Sequence, residues 1–181
     1  MMCTTSVRQA SPGDATAIAR VHVRSWQVAY RAVVPDAILE GLSVEQRQRT
    51  WRQLLGDRHG TFTLVAERGA ELVGFCSMAI PGRDDDAGEA TCEVAAIYVE
   101  PTVWRAGIGN ALLDRALRTA QDAGWREVTL WVFAANTIAR AFYEGFGFAP
   151  DGAEMNHQQS GQSEIRLRAS LRPPHGRLGG C

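Results

Sequence analysis

Apolar residues at Ile18, Val21, Trp26 and Ala29 follow helical spacing, which predicts a helix to about Tyr30. Ser11-Pro12-Gly13-Asp14 supplies its start: Ser caps, Pro suits the first helical position and Asp favours the positive helix end. A short helix over 36–39 ends at Gly41. Ser43 and Gln46 then form a capping box that opens a helix to about Leu55, stopped by Gly56. Its charged face holds Glu45, Arg47, Gln48 and Arg52. The pattern changes after this point. Runs 61–67 and 71–80, joined through Arg68-Gly69-Ala70, read as a β-hairpin, with Gly74 marking a bulge or a close backbone approach. Residues 82–88 read as a solvated loop tip. A third strand over 93–99 ends at Pro101. A long helix from Arg105 or Ala106 to Ala123 carries the stripe Ile108, Leu112, Leu113, Ala116, Leu117 and Ala120, with Gly124 just past its end. Another strand covers 127–133. Asn136 caps a helix bearing Ile138, Phe142, Tyr143 and Phe146, and Gly147 ends it. Residues 148–149 and 163–169 supply final strands. Strand runs followed by a strand–helix–strand crossover imply a mixed α/β sheet.

Composition narrows the class. The 181 residues are 45% hydrophobic and 22% charged, as in one globular domain. That domain is expected over 1–171, with the Pro- and Gly-rich stretch 172–181 a disordered tail. A net charge of −1 gives no electrostatic footprint for nucleic acid. The longest apolar run, 72–80, is too short for a bilayer span, and MMCTTSVRQA lacks the apolar core of a signal peptide. A cytoplasmic protein is expected. Cys3, Cys76, Cys92 and Cys181 show no paired spacing, and Cys76 and Cys92 fall in strand-like runs, where a thiol serves as a small hydrophobe. His22, His59, His157 and His175 are scattered, and Asp84, Asp85 and Asp86 lack a calcium-loop pattern, so no metal is expected.

Two stretches could carry chemistry. Residues 91–124 form a strand, a two-glycine turn and a helix, the arrangement that offers backbone N–H groups to an anion. Arg105 could add a charge-assisted bond. With no Lys-Ser or Lys-Thr after the second glycine, and Leu112 where a third glycine would stand, neither a P-loop nor a dinucleotide fingerprint is present. On these residues alone, a tight structural turn and a phosphate cradle both remain open. His22, Trp26 and Tyr30 share one helix face, either an aromatic stripe on the core or one wall of a substrate pocket.

The run PTVWRAGIGNALL resembles the acyl-CoA motif of the GNAT-type N-acetyltransferases at Gly107, Gly109 and the following Ala111-Leu112-Leu113. It departs at Trp104, where that family has Arg or Gln, and Arg105 shifts the positive charge by one position. Residues 136–148 look like the family's second pattern, N-x-x-A-x-x-F-Y-x-x-x-G-F, and the run HVRSWQVAYRAVVPD adds a further likeness. The resemblance spans about Val7 to Ala169. It implies a central, mostly antiparallel twisted sheet with a parallel, splayed strand pair at the cofactor site and flanking helices. It also implies acetyl-CoA as cosubstrate and a primary amine, small-molecule or peptide, as acceptor. Ile97, Tyr98 and Val99 would offer backbone groups to the pantetheine arm. Val103, Trp104, Arg105, Ala106, Gly107, Ile108, Gly109 and Asn110 would cradle the pyrophosphate. Asn136 would bond the cofactor arm or cap its helix. Tyr143 would protonate the departing thiolate, and Glu93 would accept the amine's proton or pair with an arginine. Trp26, Tyr30, Glu93 and Trp131 would line the acceptor side. A non-catalytic acyl-CoA-binding module is the rival class, and a homodimer is left open.

Overall fold

The computed structural model describes residues 5–57 and 60–171, so the expected tail at 172–181 lies outside the described residues. The chain runs β1 (Thr5–Gln9), α1 (Ala15–Ala29), α2 (Asp36–Glu40), α3 (Val44–Gly56), β2 (Thr61–Arg68), β3 (Glu71–Ala79), β4 (Thr91–Val99), α4 (Ile108–Asp122), β5 (Glu127–Phe133), α5 (Thr137–Glu144), β6 (Ala149–Asn156) and β7 (Ser163–Ser170). The sheet order is β1-β2-β3-β4-β5-β7-β6. Every neighbouring pair is antiparallel except β4–β5. That parallel pair is matched only at Thr91–Glu127, Cys92–Val128 and Glu93–Thr129. Beyond Glu93, β4 continues on β3 and β5 continues on β7, so a gap opens between two strands in the middle of the sheet.

Each face of the sheet has its own core. On one, Cys76, Met78, Cys92, Val94, Val128, Leu130 and Leu167 pack under Leu112, Leu113, Ala116 and Ala120 of α4. On the other, Val65 and Phe75 pack under Ile18 and Ala19 of α1 and Trp51 of α3. Burying a Leu, Ile or Phe side chain contributes roughly 1.5–3 kcal/mol, so these stripes hold the helices in place. Among the described residues no helix is long and apolar enough to cross a membrane.

Several expectations change. α4 begins at Ile108 and not at Arg105 or Ala106, because Arg105 (φ 62°) and Gly107 (φ 79°) are left-handed. α3 runs through Gly56 to an Asp57 cap, so Gly56 does not stop it. β1 carries no alternating pattern that would have revealed it. β6 extends over eight residues, and its ladder to β7 shifts register between Pro150 and Glu154. Gly74 satisfies both readings: the register breaks beside it, and a β-carbon there would lie 3.1 Å from Tyr98 O and from Leu112 Cδ1.

The loop over residues 82–88 is exposed at Arg83, Asp85, Asp86 and Gly88, as a solvated tip would be, but it is also anchored. Arg166 of β7, only 4% exposed, places Nη1 and Nη2 on the two Asp86 oxygens at 2.6 and 2.8 Å. Its Nε donates to Asp151 at 2.7 Å, and Asp84 lies 3.4 Å from Nη1. A guanidinium buried this deeply needs carboxylate partners to remain charged. The loop supplies two of them and is thereby fastened over β5 and β7.

Candidate active site

At the end of β4 the chain makes a single turn of 3-10 helix (Pro101–Val103), then passes through Trp104 and the left-handed Arg105 and Gly107 into α4. Trp104 Nε1 donates to Val99 O at 2.7 Å, and Ser25 Oγ donates to the same carbonyl at 2.9 Å. Trp104 therefore braces the turn against the strand, which is a structural use for the residue that departs from the family pattern. Among the described residues, no hydrogen bond occupies the backbone N–H groups of residues 105–110. Arg105, Ala106, Gly107 and Asn110 are exposed, whereas Ile108 as a whole is 2% exposed and its side chain belongs to the core under α4. Free N–H groups at the positive end of a fifteen-residue helix, beside an exposed guanidinium, form an anion site. Gly107 is required by its φ, since a β-carbon there would meet nothing within 4 Å. Gly109 is different: its β-carbon would lie 3.6 Å from Cζ of Phe142, so the two motifs pack directly on each other.

α5 lies on the same face as α4. Asn136 Oδ1 accepts from Ala139 N at 3.1 Å, so its carboxamide oxygen caps the helix. Tyr143 packs against Phe142 and Phe148, with centroids 5.2 and 5.9 Å apart. Burial pushes its phenol well above the ordinary tyrosine range, with smaller contributions from the Tyr98 and Cys76 charges. The hydroxyl keeps its proton at neutral pH. Ile97, Tyr98 and Val99 occupy the part of β4 beyond its last pairing with β5, so their β5-facing edge is unladdered.

Across the sheet, Tyr98 sits at the centre of an aromatic group. Its hydroxyl accepts from Trp26 Nε1 at 2.8 Å and lies 3.4 Å from the Tyr30 hydroxyl, and its ring stacks on His22 at 4.9 Å. Trp26 is 8% exposed with its N–H committed, so it backs the wall while Tyr30 stands further out. Tyr30 meets Phe133 at 5.0 Å, and Phe133 meets His157 at 5.2 Å. Trp131 joins a different group: its Nε1 donates to Asp84 at 2.9 Å, and Arg166 lies 5.7 Å from its ring centroid.

Glu93 is 2% exposed, and one loop residue holds both of its oxygens. Arg83 N donates to Oε2 at 3.1 Å, and Arg83 Nε lies 3.0 Å from Oε1. Burial raises the carboxyl's pKa, while the bond and charge of Arg83 oppose the rise. Reading the sequence missed Arg83, Phe133, His157 and Arg166 as neighbours of the site. Register is the missing signal: Trp131 stands opposite Arg166, and Phe133 opposite Glu164, only once β5 is paired with β7.

Comparison with known proteins agrees with this geometry. A model described as the acetyltransferase (GNAT) family matches residues 22–148. The uncharacterized N-acetyltransferase YuaI of Bacillus subtilis is 30% identical over 164 residues, covering 90% of this chain and 88% of its own. The probable N-acetyltransferase Rv2775 of Mycobacterium tuberculosis is 28% identical over 148 residues, covering 81% and 80%. The PaiA N-acetyltransferase of Thermoplasma acidophilum, solved with coenzyme A, superposes with a TM-score of 0.73 at 19% identity over 92% of this chain and 99% of that one. YncA of Salmonella typhimurium, solved with acetyl-CoA, gives 0.68 at 22% identity over 98% and 99%. The structural likenesses establish the fold; together with the family match and the sequence relatives, they show that this chain belongs to the GNAT acetyltransferase family.

Proposed function

We propose that the protein transfers the acetyl group of acetyl-CoA directly to a primary amine. The observation that carries this reading is the row of N–H groups at 105–110 that have no partner among the described residues, exposed at Arg105, Ala106, Gly107 and Asn110, in the turn that follows β4 where it parts from β5. The fit is good on three counts: the cradle is anion-seeking, Gly107 leaves its surface open, and the Tyr143 phenol retains its proton. Val103 to Asn110 would hold the pyrophosphate, with Arg105 adding charge. The unladdered backbone of Ile97, Tyr98 and Val99 would bond the pantetheine arm, apart from the Val99 carbonyl, which Trp104 and Ser25 already occupy. Asn136 acts chiefly as a helix cap. The bound thioester supplies an activated acetyl carbon, and the rest is positioning.

An amine of pKa about 10 is only about one part in a thousand neutral at pH 7, a penalty of about 4 kcal/mol. Glu93 takes that proton through water, its basicity raised by burial and restrained by Arg83. As the amine nitrogen bonds to the acetyl carbon and the carbon–sulfur bond breaks, Tyr143 gives its proton to the sulfur, and the second proton shed by the nitrogen as it becomes an amide restores the phenol. No cysteine is needed as a nucleophile, and burial pushes the Cys76 and Cys92 thiols up to about 12 and 11, where they stay protonated.

The test is thiol release from acetyl-CoA across a panel of small amines and peptides, with products identified by mass. The chain contains no lysine, so acetyl transfer to its own lysine side chains cannot confuse the result. Acceptor-dependent release is expected, and Gly107→Glu should abolish it together with acetyl-CoA binding. Binding without release for any amine would leave a non-catalytic acyl-CoA module. Normal affinity in Gly107→Glu would remove the cradle.

A further inference from the structure

Arg83 reaches Glu93 from a loop whose two ends are tied to one residue. Gly82 N donates to Thr91 O at 3.0 Å, and Thr91 N donates to Gly88 O at 3.2 Å. Between these ends the loop is fastened at Asp84 and Asp86. Asp86 accepts from both terminal nitrogens of Arg166 at 2.6 and 2.8 Å, while Asp84 accepts from Trp131 Nε1 at 2.9 Å and lies 3.4 Å from Arg166 Nη1. The anchor itself is built into the sheet. Arg166 is 4% exposed, donates to Asp151 of β6 at 2.7 Å and lies 5.7 Å from the Trp131 ring centroid. Strands β5, β6 and β7 thus hold one guanidinium in place, and that guanidinium holds the loop. Asp84 follows Arg83 directly in the chain, with α-carbons about 3.8 Å apart, so fixing one fixes the other.

The consequence falls on Glu93. Its register neighbours, Ala79 on β3 and Thr129 on β5, carry no charge. Charge reaches it from the loop, through Arg83 and Asp84, and from Arg166 of β7. Burial raises its pKa. The Arg83 N–H bond opposes this most, followed by the Arg83 charge, while the Asp84 charge raises the pKa and the Arg166 charge lowers it. A hydrogen bond weakens steeply with distance and angle. The state of the buried carboxylate therefore depends on where the loop sits, and the loop sits where Arg166 puts it.

We propose that Asp84, Asp86 and Arg166 form a strap that presses Arg83 onto Glu93, which makes these three residues positioning residues for the proton acceptor of the reaction. This rests on the reading of Glu93 as that acceptor. The three act through Arg83, and they take no part in proton transfer themselves.

The experiment is a double-mutant cycle between strap and clamp, read on Glu93 itself. The carboxyl carbon of Glu93, labelled with carbon-13, is titrated by NMR in the unaltered protein, Arg83→Ala, the pair Asp84→Ala with Asp86→Ala, and the triple variant. With the strap intact, Arg83→Ala should raise the Glu93 pKa. With both aspartates removed, that rise should disappear, because the guanidinium no longer lies on the carboxylate. An equal rise in both backgrounds would overturn the proposal. Exchange of the Arg83 amide with solvent is the second readout. A bond to a charged acceptor slows it on the order of tenfold or more, so removing the two aspartates should quicken it by about that factor, and unchanged exchange would equally overturn the proposal. Should the paired variant not fold, Asp86→Ala alone decides the matter, since that side chain is 70% exposed. It should diminish the Arg83→Ala rise, and an undiminished rise would end the inference. The acid limb of kcat/KM is followed in the same proteins. A limb that ignores changes seen in the titration would remove Glu93 as proton acceptor while leaving the strap in control of its charge.

Discussion

Arg83 and Glu93 are joined twice, through the Arg83 backbone N–H to Oε2 at 3.1 Å and through Nε to Oε1 at 3.0 Å. The close approach of Gly82, whose β-carbon would lie 3.3 Å from Glu93 Cβ, lays the loop on the carboxylate. The two residues differ in setting, because the Arg83 side chain is 58% exposed while that of Glu93 is 2% exposed. A solvated guanidinium therefore tempers a buried carboxylate without being trapped beside it.

On the proposed mechanism, this pairing sets the acid side of the pH–rate profile. Glu93 must be ionised to accept a proton, so the rate falls as pH drops through its pKa. Burial raises that pKa and Arg83 lowers it. Arg83→Ala keeps the backbone N–H bond to Oε2 and removes only the lowering due to the guanidinium charge, so the acid limb of kcat/KM should move modestly to higher pH. Glu93→Gln should abolish the limb. Because ionised Glu93 opposes folding, Glu93→Gln should be at least as stable as the unaltered protein at pH 7. A limb that stays in place in Arg83→Ala would separate Glu93 from the base role.

Tyr143→Phe tests the proposed donation of a proton to sulfur. The ring contacts with Phe142 and Phe148 survive the change, and the hydroxyl has no protein partner among the described residues, so thermal stability should hold. The expected loss is about 10²–10⁴ in kcat with the acetyl-CoA KM little altered, the range typical of a positioned acid. An unchanged kcat would remove Tyr143 from the mechanism.

The glycines offer a graded test, because each is required for a different reason. At Gly74 a β-carbon would press on a backbone carbonyl at 3.1 Å, so Gly74→Ala should destabilise by about 1–3 kcal/mol, as overpacking does. Gly107→Ala meets open space but a φ of 79°, a left-handed strain of roughly 1–2 kcal/mol. Gly109→Ala meets Phe142 at ordinary contact distance and should leave stability near its starting value. Urea unfolding of the three variants should rank them in that order, and an equal loss at Gly109 would show that α5 packs more tightly on α4 than this geometry allows.

The sequence made the donor side readable and the acceptor side opaque, for a physical reason. Gly107, Gly109, Asn136 and Tyr143 lie in two contiguous segments whose turn and cap chemistry is local, so a family resemblance could attach expected roles to them from the chain alone. Glu93 took its expected role from the same resemblance, counted back from Gly107. Arg83, Phe133, Glu164 and Arg166 come from three separated segments and meet only through the β5–β7 register and the loop that Arg166 fastens. The same limit hid the pairing of Asp84 and Asp86 with Arg166: their partner lies about eighty positions away in the chain. Arg105 hid the start of α4, since a non-glycine residue at φ 62° leaves no mark in the pattern.

His22 predicts how the fold responds to acid. Its Nδ1 accepts from Trp51 Nε1 at 3.2 Å, and its ring lies among Trp26, Trp51, Phe75 and Tyr98. Burial lowers its pKa from 6.5 to about 3, with the Arg47 charge adding to the effect. The folded form keeps His22 neutral while the unfolded chain takes up a proton below pH 6.5. The stabilisation is therefore complete above that value and is lost as pH falls toward 3, at about 1.4 kcal/mol per pH unit in the steep part. Carboxylates such as Asp14, held at about 2 by Arg8, lose their contribution only at lower pH. His22→Gln keeps an acceptor for Trp51 and does not titrate. Between pH 6 and 4 its unfolding midpoint should decline more gently than that of the unaltered protein. Parallel declines for the two would mean that the imidazole is protonated in the folded state and that the Trp51 bond is not what orders it.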